Sequence, residues 1–123
     1  MVENFEVFEV ELSAPNLVVI PKGSTLQFMY SNVDVESNKV LKLFNSAEIK
    51  NVIIDLSKVD YLDSGILNSI IRFLMQARQT GGQAVCCNAC HNMQNILKCI
   101  KVGDLWPLFD TREEAITYIT TNP

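Results

Sequence analysis

The chain predicts an α/β fold: one domain with a mixed, mostly parallel β-sheet and about four α-helices. Three observations lead there. From residue 34 onward, helical and strand-like segments alternate as helix, strand, helix, strand, helix, strand, helix. Such alternation calls for right-handed crossovers between parallel strands. The two strand-like runs before residue 21 have no helix between them, which adds an antiparallel or mixed portion. The 123 residues, 48% hydrophobic and 20% charged, suit a single domain over residues 1–123 whose core needs no covalent staples.

Residues 5–12 alternate: Phe5, Val7 and then Val10 or Leu12 stand against Glu6, Glu9 and Glu11. That is the pattern of an exposed or edge strand. Ser13-Ala14-Pro15-Asn16 breaks it. Leu17-Val18-Val19-Ile20 reads as a short buried strand, closed by the turn signal Pro21-Lys22-Gly23. Residues 25–29 read as a further partner strand. Asp34 is the expected cap of a helix running to about Ser46, in which Val40, Leu43, Phe44 and Ala47 follow helical spacing.

Residues 51–56 form an apolar strand, and residues 64–80 the clearest helix. At 100° per residue, Ile66, Leu67, Ile70, Ile71, Phe73, Leu74 and Ala77 share one broad side. Asn68, Ser69, Arg72, Gln76 and Gln79 share the other. Gly81-Gly82 stops the helix. Residues 84–87 make another short strand, and Met93, Ile96, Leu97 and Ile100 mark another helix. A last strand is expected within residues 105–109. Thr111-Arg112-Glu113-Glu114 is a capping box that opens the final helix.

The charge balance excludes one broad class of partner. Net charge is −4 and the pI is about 4.9, so no basic footprint for nucleic acid is present. Glu3, Glu6, Glu9, Glu11, Asp34 and Glu36 are scattered and form no acidic tail. No window approaches 18 continuous apolar residues, so membrane insertion is not expected. The first residues carry no basic and apolar signal pattern. Cys86, Cys87, Cys90 and Cys99 then belong in a reducing cytoplasm, as free thiols.

"CCNACH", residues 86–91, is the loudest local pattern. Cys87, Cys90 and His91 match the spacing of c-type haem attachment, but nothing marks the chain for the export that this chemistry usually needs. Zinc would require four convergent donors. Cys86 and Cys87 are strand neighbours and point to opposite faces, while Cys90 and Cys99 sit apart on the following helix. No cofactor and no metal are therefore expected. There is no phosphate-binding glycine loop, and His91 is the single histidine. Nothing assembles a catalytic set, so an enzyme is not expected.

"YLDSGIL", residues 61–67, is the remaining candidate. Asp63, Ser64 and Gly65 stand between a strand and a helix, and all three are ordinary helix-start residues. The place is also the favoured functional edge of an open α/β sheet. A serine there is accessible, beside free N–H groups and the positive helix end.

Here the sequence resembles the STAS family, the sulfate-transporter and anti-sigma-factor-antagonist domain. "NVIIDLSKVDYLDSGIL" is similar to the family's strand, short loop and turn of the form D-S-[SAT]-G-[LI] into a helix. "QTGG" ends that helix at the matching distance, and "VGDLWPLFDTREEAI" resembles the family's last strand and acidic-capped helix. Asp63 and Ser64 take the aspartate and phosphoacceptor positions. Gly65 takes that of the second small residue, and Ile66 stands where the family usually has glycine.

The resemblance implies a cytoplasmic anti-sigma-factor antagonist. Such a protein captures an anti-sigma factor that is also a serine protein kinase, and phosphorylation, here of Ser64, breaks the complex. A constitutive subunit of a stressosome-like assembly or of a lipid-transport system is the alternative. The partner surface is expected to comprise Asp63, Ser64, Gly65, Ile66, Asn68, Ser69 and Arg72, and a homodimer is compatible with it.

Overall fold

The computed structural model describes residues 2–4, 7–22, 30–45, 48–61, 64–99 and 106–121. Its elements run β1 (Val2–Asn4), β2 (Phe8–Ser13), β3 (Asn16–Pro21), α1 (Tyr30–Leu43), β4 (Asn51–Asp55) and α2 (Ser64–Gln79). They continue with β5 (Ala84–Cys87), α3 (His91–Cys99), β6 (Leu108–Phe109) and α4 (Arg112–Thr121). One sheet holds the strands in order β1-β2-β3-β4-β5-β6. The first two pairings are antiparallel and the next three parallel.

The two-residue period of a strand divides the apolar side chains between two layers. Leu17, Val19, Val52, Ile54, Ala84 and Cys86 face a core shared with Val33 and Val40 of α1, Phe44 just after it, Ile66, Ile70, Phe73 and Leu74 of α2, and Met93 and Leu97 of α3. Val18, Ile20, Ile53, Val85 and Cys87 face the opposite way, against Ala115 and Ile119 of α4. Strands buried on both faces are the reason β3 to β5 read as unbroken apolar runs. Phe8 of β2 meets Phe73 of α2 edge-to-face at 5.4 Å between ring centroids.

Three expectations are corrected. Helix α1 starts at Tyr30, so Asp34 lies within it, exposed, and does not cap it. Its buried stripe is Val33, Ser37 and Val40, continued by Phe44 just beyond the helix, and the polar Ser37 disguised that stripe. Next, β2 is not the edge strand, because β1 pairs on its outer side. Val10 and Leu12 both face the helical core. Last, Ser69 is buried, although the helical wheel placed it with the exposed polar residues. Residues 25–29, Phe5, Ser46, Ala47, Ile100 and Leu105 lie outside the described residues.

The end of α2 has an identifiable geometry. The Gly82 N–H reaches Ala77 O at 2.8 Å and the Gly81 N–H reaches Arg78 O at 3.1 Å, with Gly81 at φ 86°. These are the paired bonds of a Schellman stop. The two glycines serve different ends: Gly81 supplies the left-handed conformation, while a Cβ on Gly82 would overlap the carbonyl of Lys50.

Candidate phosphoacceptor site at the start of the second helix

Strand β4 ends at Asp55, and residues 56–61 follow it outside any helix or strand. Ser64 is the first residue of α2 and is exposed. The N–H groups of a helix's first turn have no intrahelical acceptor, and the first turn of α2 carries no acidic side chain. An exposed hydroxyl therefore sits at the positive end of a helix. Before it, Tyr61 is 57% exposed. Asp60 and Tyr61 join Asn92, Asn95 and Ile96 of α3 around a shallow depression of about 330 Å³.

The other expected surface residues divide by burial. Asn68 and Arg72 are exposed, and Gly65 is partly buried. Ile66 is fully buried and Ser69 is 4% exposed, so neither side chain offers a surface. Asp63 lies outside the described residues. Ser69 instead faces α1: its Oγ lies 2.7 Å from Ser37 Oγ, and Ser37 Oγ donates to Val33 O at 2.7 Å. Each hydroxyl has one proton. With that of Ser37 committed to Val33, Ser69 is the donor between the two. The longer 3.3 Å contact of Ser69 Oγ with Gly65 O is secondary. Arg72 donates to Asn38 Oδ1 at 3.3 Å on the outer side of the same helix pair.

A charged network at the same sheet edge escaped the sequence reading. Asp55, the last residue of β4, is 2% exposed. Its Oδ2 accepts from Arg112 Nε at 3.0 Å and Nη2 at 2.8 Å, and its Oδ1 from Ser57 N at 3.0 Å and Asn88 Nδ2 at 3.1 Å. Arg112 also donates to Glu11 Oε2 at 2.9 Å. Burial pushes the Asp55 carboxyl upward, but the bonds from Arg112, Ser57 and Asn88 outweigh it and hold the carboxyl below its usual value. Arg112 is raised: burial opposes its charge, and the bonds to Asp55 and Glu11 overcome that. Asn88 sits at φ 60°, a conformation that asparagine tolerates. The signal was a lone carboxylate ending the apolar run Asn51-Val52-Ile53-Ile54-Asp55.

Glu36 was missed for a similar reason. It is 7% exposed and accepts from the backbone N–H groups of Val7 at 2.8 Å and Phe8 at 3.3 Å, tying α1 to the start of β2.

Cys86 and Cys87 are buried on opposite sheet faces, and burial pushes both thiols up to about 12. Cys90 and Cys99 are exposed. Among the described residues, no three His, Cys, Asp or Glu side chains gather as metal ligands. No described helix is long and apolar enough to cross a membrane.

The profile of the STAS domain matches residues 16–115. The chain belongs to the STAS domain family. Solved structures agree with it in fold. An anti-sigma-factor antagonist domain protein from Planctomyces limnophilus superposes with a TM-score of 0.74 at 20% identity, over 92% of this chain and 97% of that one. The anti-sigma factor antagonist SpoIIAA in its unphosphorylated form gives 0.76 at 15% identity, over 94% and 98%. Bacillus SpoIIAA in the phosphorylated form gives 0.70 at 17%, over 91% and 98%. The STAS fold is also similar to part of the murine Solute Carrier 26 family member A9 anion transporter, with 0.65 at 16% identity, over 91% of this chain and 19% of that one.

Proposed function

We propose that this STAS domain is an anti-sigma-factor antagonist. In this reading it captures an anti-sigma factor that is also a serine kinase, acts on transcription in the cytoplasm through that partner, and is released when Ser64 is phosphorylated. One observation carries the reading: an exposed serine opens α2, whose first turn has no carboxylate, at the C-terminal edge of the parallel strands.

The chemistry follows from that position. A kinase transfers the γ-phosphoryl group of ATP to Ser64 Oγ, the hydroxyl proton is lost, and ADP leaves. The phosphate brings about −1.5 to −2 charge. Within the domain, the positive end of α2 stabilises it. At an interface fitted to a small hydroxyl, the same group adds bulk and an unpaired dianion. Losses of a few kcal/mol are usual there, which is about two decades of affinity or more. Gly65, Asn68 and Arg72 extend the proposed contact surface. Ile66 and Ser69 support it from beneath, by packing and through the bond to Ser37.

Capture from a lysate of the native cell tests the proposal, with wild type, Ser64→Ala and Ser64→Asp as baits. The expected result is one kinase-fold partner retained by wild type and Ser64→Ala, lost from Ser64→Asp, and phosphate at Ser64 by mass spectrometry. Equal retention by all three, with Ser64 unmodified, would favour a constitutive scaffold or transporter subunit.

A further inference from the structure

Helices α2 and α4 lie on opposite faces of the sheet, and their exposed charges are opposite in sign. The sequence of α2, SGILNSIIRFLMQARQ, has Arg72 and Arg78 and no carboxylate, although the chain carries a net −4. Lys42 of the neighbouring α1 is exposed as well. Between these cations stands Met75, 47% exposed. On one side of it lies a groove of about 260 Å³ lined by Leu41, Arg72, Met75, Gln76 and Gln79. On the other lies one of about 230 Å³ lined by Met75, Arg78, Gln79 and Trp106.

The outer face of α4 is the complement. Glu113, Ile116, Thr117 and Thr120 are exposed at helical i, i+3, i+4, i+7 spacing, with exposed Asp110 just before the helix. Ile116 is 37% exposed and makes this an acidic face with an apolar centre. The ion pairs among the described residues are Lys58–Glu9, Arg112–Glu11 and Arg112–Asp55. Lys42, Arg72 and Arg78 take part in none of them, and neither do Asp110 and Glu113.

We propose that this chain associates with further copies of itself head to tail, the acidic α4 face of one copy docking on the cationic α2 face of the next, with Ile116 seated beside Met75. Two complementary patches on opposite faces cannot satisfy each other across a two-fold axis. They generate a heterologous contact, which builds rings or open chains. Few apolar side chains take part, so the contact is weak and charge-dependent. The inference rests on α2, α4 and their charges, and not on phosphorylation of Ser64.

Sedimentation velocity over a concentration series tests it. At about 20 mM salt the sedimentation coefficient should rise with concentration, and at about 500 mM it should return to that of a monomer. Trp106, the single tryptophan, should change its fluorescence in step. The pair Arg72→Glu with Arg78→Glu should be monomeric, and so should Asp110→Lys with Glu113→Lys. Mixing the two variants should restore association, because every pairing face then meets its opposite, and recovery also shows that both variants are folded. Ser64→Ala, which cannot be phosphorylated and adds no charge, should associate like wild type, so this inference and the phosphoswitch can fail separately. A chain that stays monomeric at low salt up to roughly millimolar concentration overturns the proposal. So does association unaffected by both charge reversals. Binding to phosphatidylglycerol vesicles that Arg72→Glu with Arg78→Glu abolishes, by a protein that stays monomeric, would assign the face to a lipid surface instead.

Discussion

A buried carboxylate survives at Asp55 because four donors surround it, and the consequence is a pH dependence of known sign. Its folded value is depressed, so the stabilisation is present above the unfolded value, near pH 4, and is lost as pH falls through the folded one. Denaturant titrations below pH 4 should therefore show a steeper loss of stability for wild type than for Asp55→Asn. Removing the partner leaves the charge uncompensated. Arg112→Ala should cost about 2 kcal/mol, less than the 3–5 kcal/mol of a fully buried pair because Arg112 is partly solvated. The cysteines give a second residue-scale expectation. Cys90 and Cys99 should react with a thiol reagent in the native state, whereas buried Cys86 and Cys87 should react only on unfolding. The sequence already placed the last two on opposite faces, since neighbours in a strand must alternate.

Among the elements, α2 was the most legible and its neighbour-facing side the least. The apolar stripe and the glycine stop were readable from spacing alone. The Schellman geometry turns the stop into two separate expectations. Gly81→Ala should cost about 1 kcal/mol for the left-handed backbone. Gly82→Ala should cost more, because the Lys50 backbone must move. Both are measurable by urea unfolding. Ser69 was misread because a helical wheel records polarity and not the neighbouring helix. Ser37 of α1 supplies the partner that lets a serine be buried. Ser69→Ala should thus cost about 1 kcal/mol, against less than about 0.5 kcal/mol for exposed Asn68→Ala. The start of α1 was misplaced for the same reason, with Ser37 hidden in its buried stripe. Half of the expected capping box of α4 formed: Thr111 Oγ1 accepts from Glu114 N at 3.1 Å, while the Glu114 carboxylate accepts from Thr111 Oγ1 at 3.2 Å and not from the Thr111 backbone N–H.

At the scale of the whole domain, both faces of the sheet are packed, by α1 to α3 on one side and α4 on the other. The proposed switch asks nothing of that packing. Ser64→Asp adds charge at a positive helix end, worth roughly 0.3–1 kcal/mol of stabilisation. Calorimetry should find its Tm unchanged or raised by at most about 5 °C. A marked fall in Tm would mean that the site is structural and that its phosphorylation could not act at an interface alone. The mixed sheet was legible because alternating strands and helices admit few connections, and the lack of a helix before β3 required the antiparallel start.

The sequence alone determined the fold class, the place of Ser64 at a strand-to-helix edge and the separation of the four cysteines. Each follows from local rules: hydrophobic period, turn chemistry and strand alternation. Only the tertiary structure decided that Asp55, Arg112 and Glu11 form one network and that Ser69 is bonded to Ser37. Those outcomes depend on side chains 32 to 101 residues apart meeting across the sheet or between helices, and no local pattern records which distant partner makes burial of a polar group tolerable.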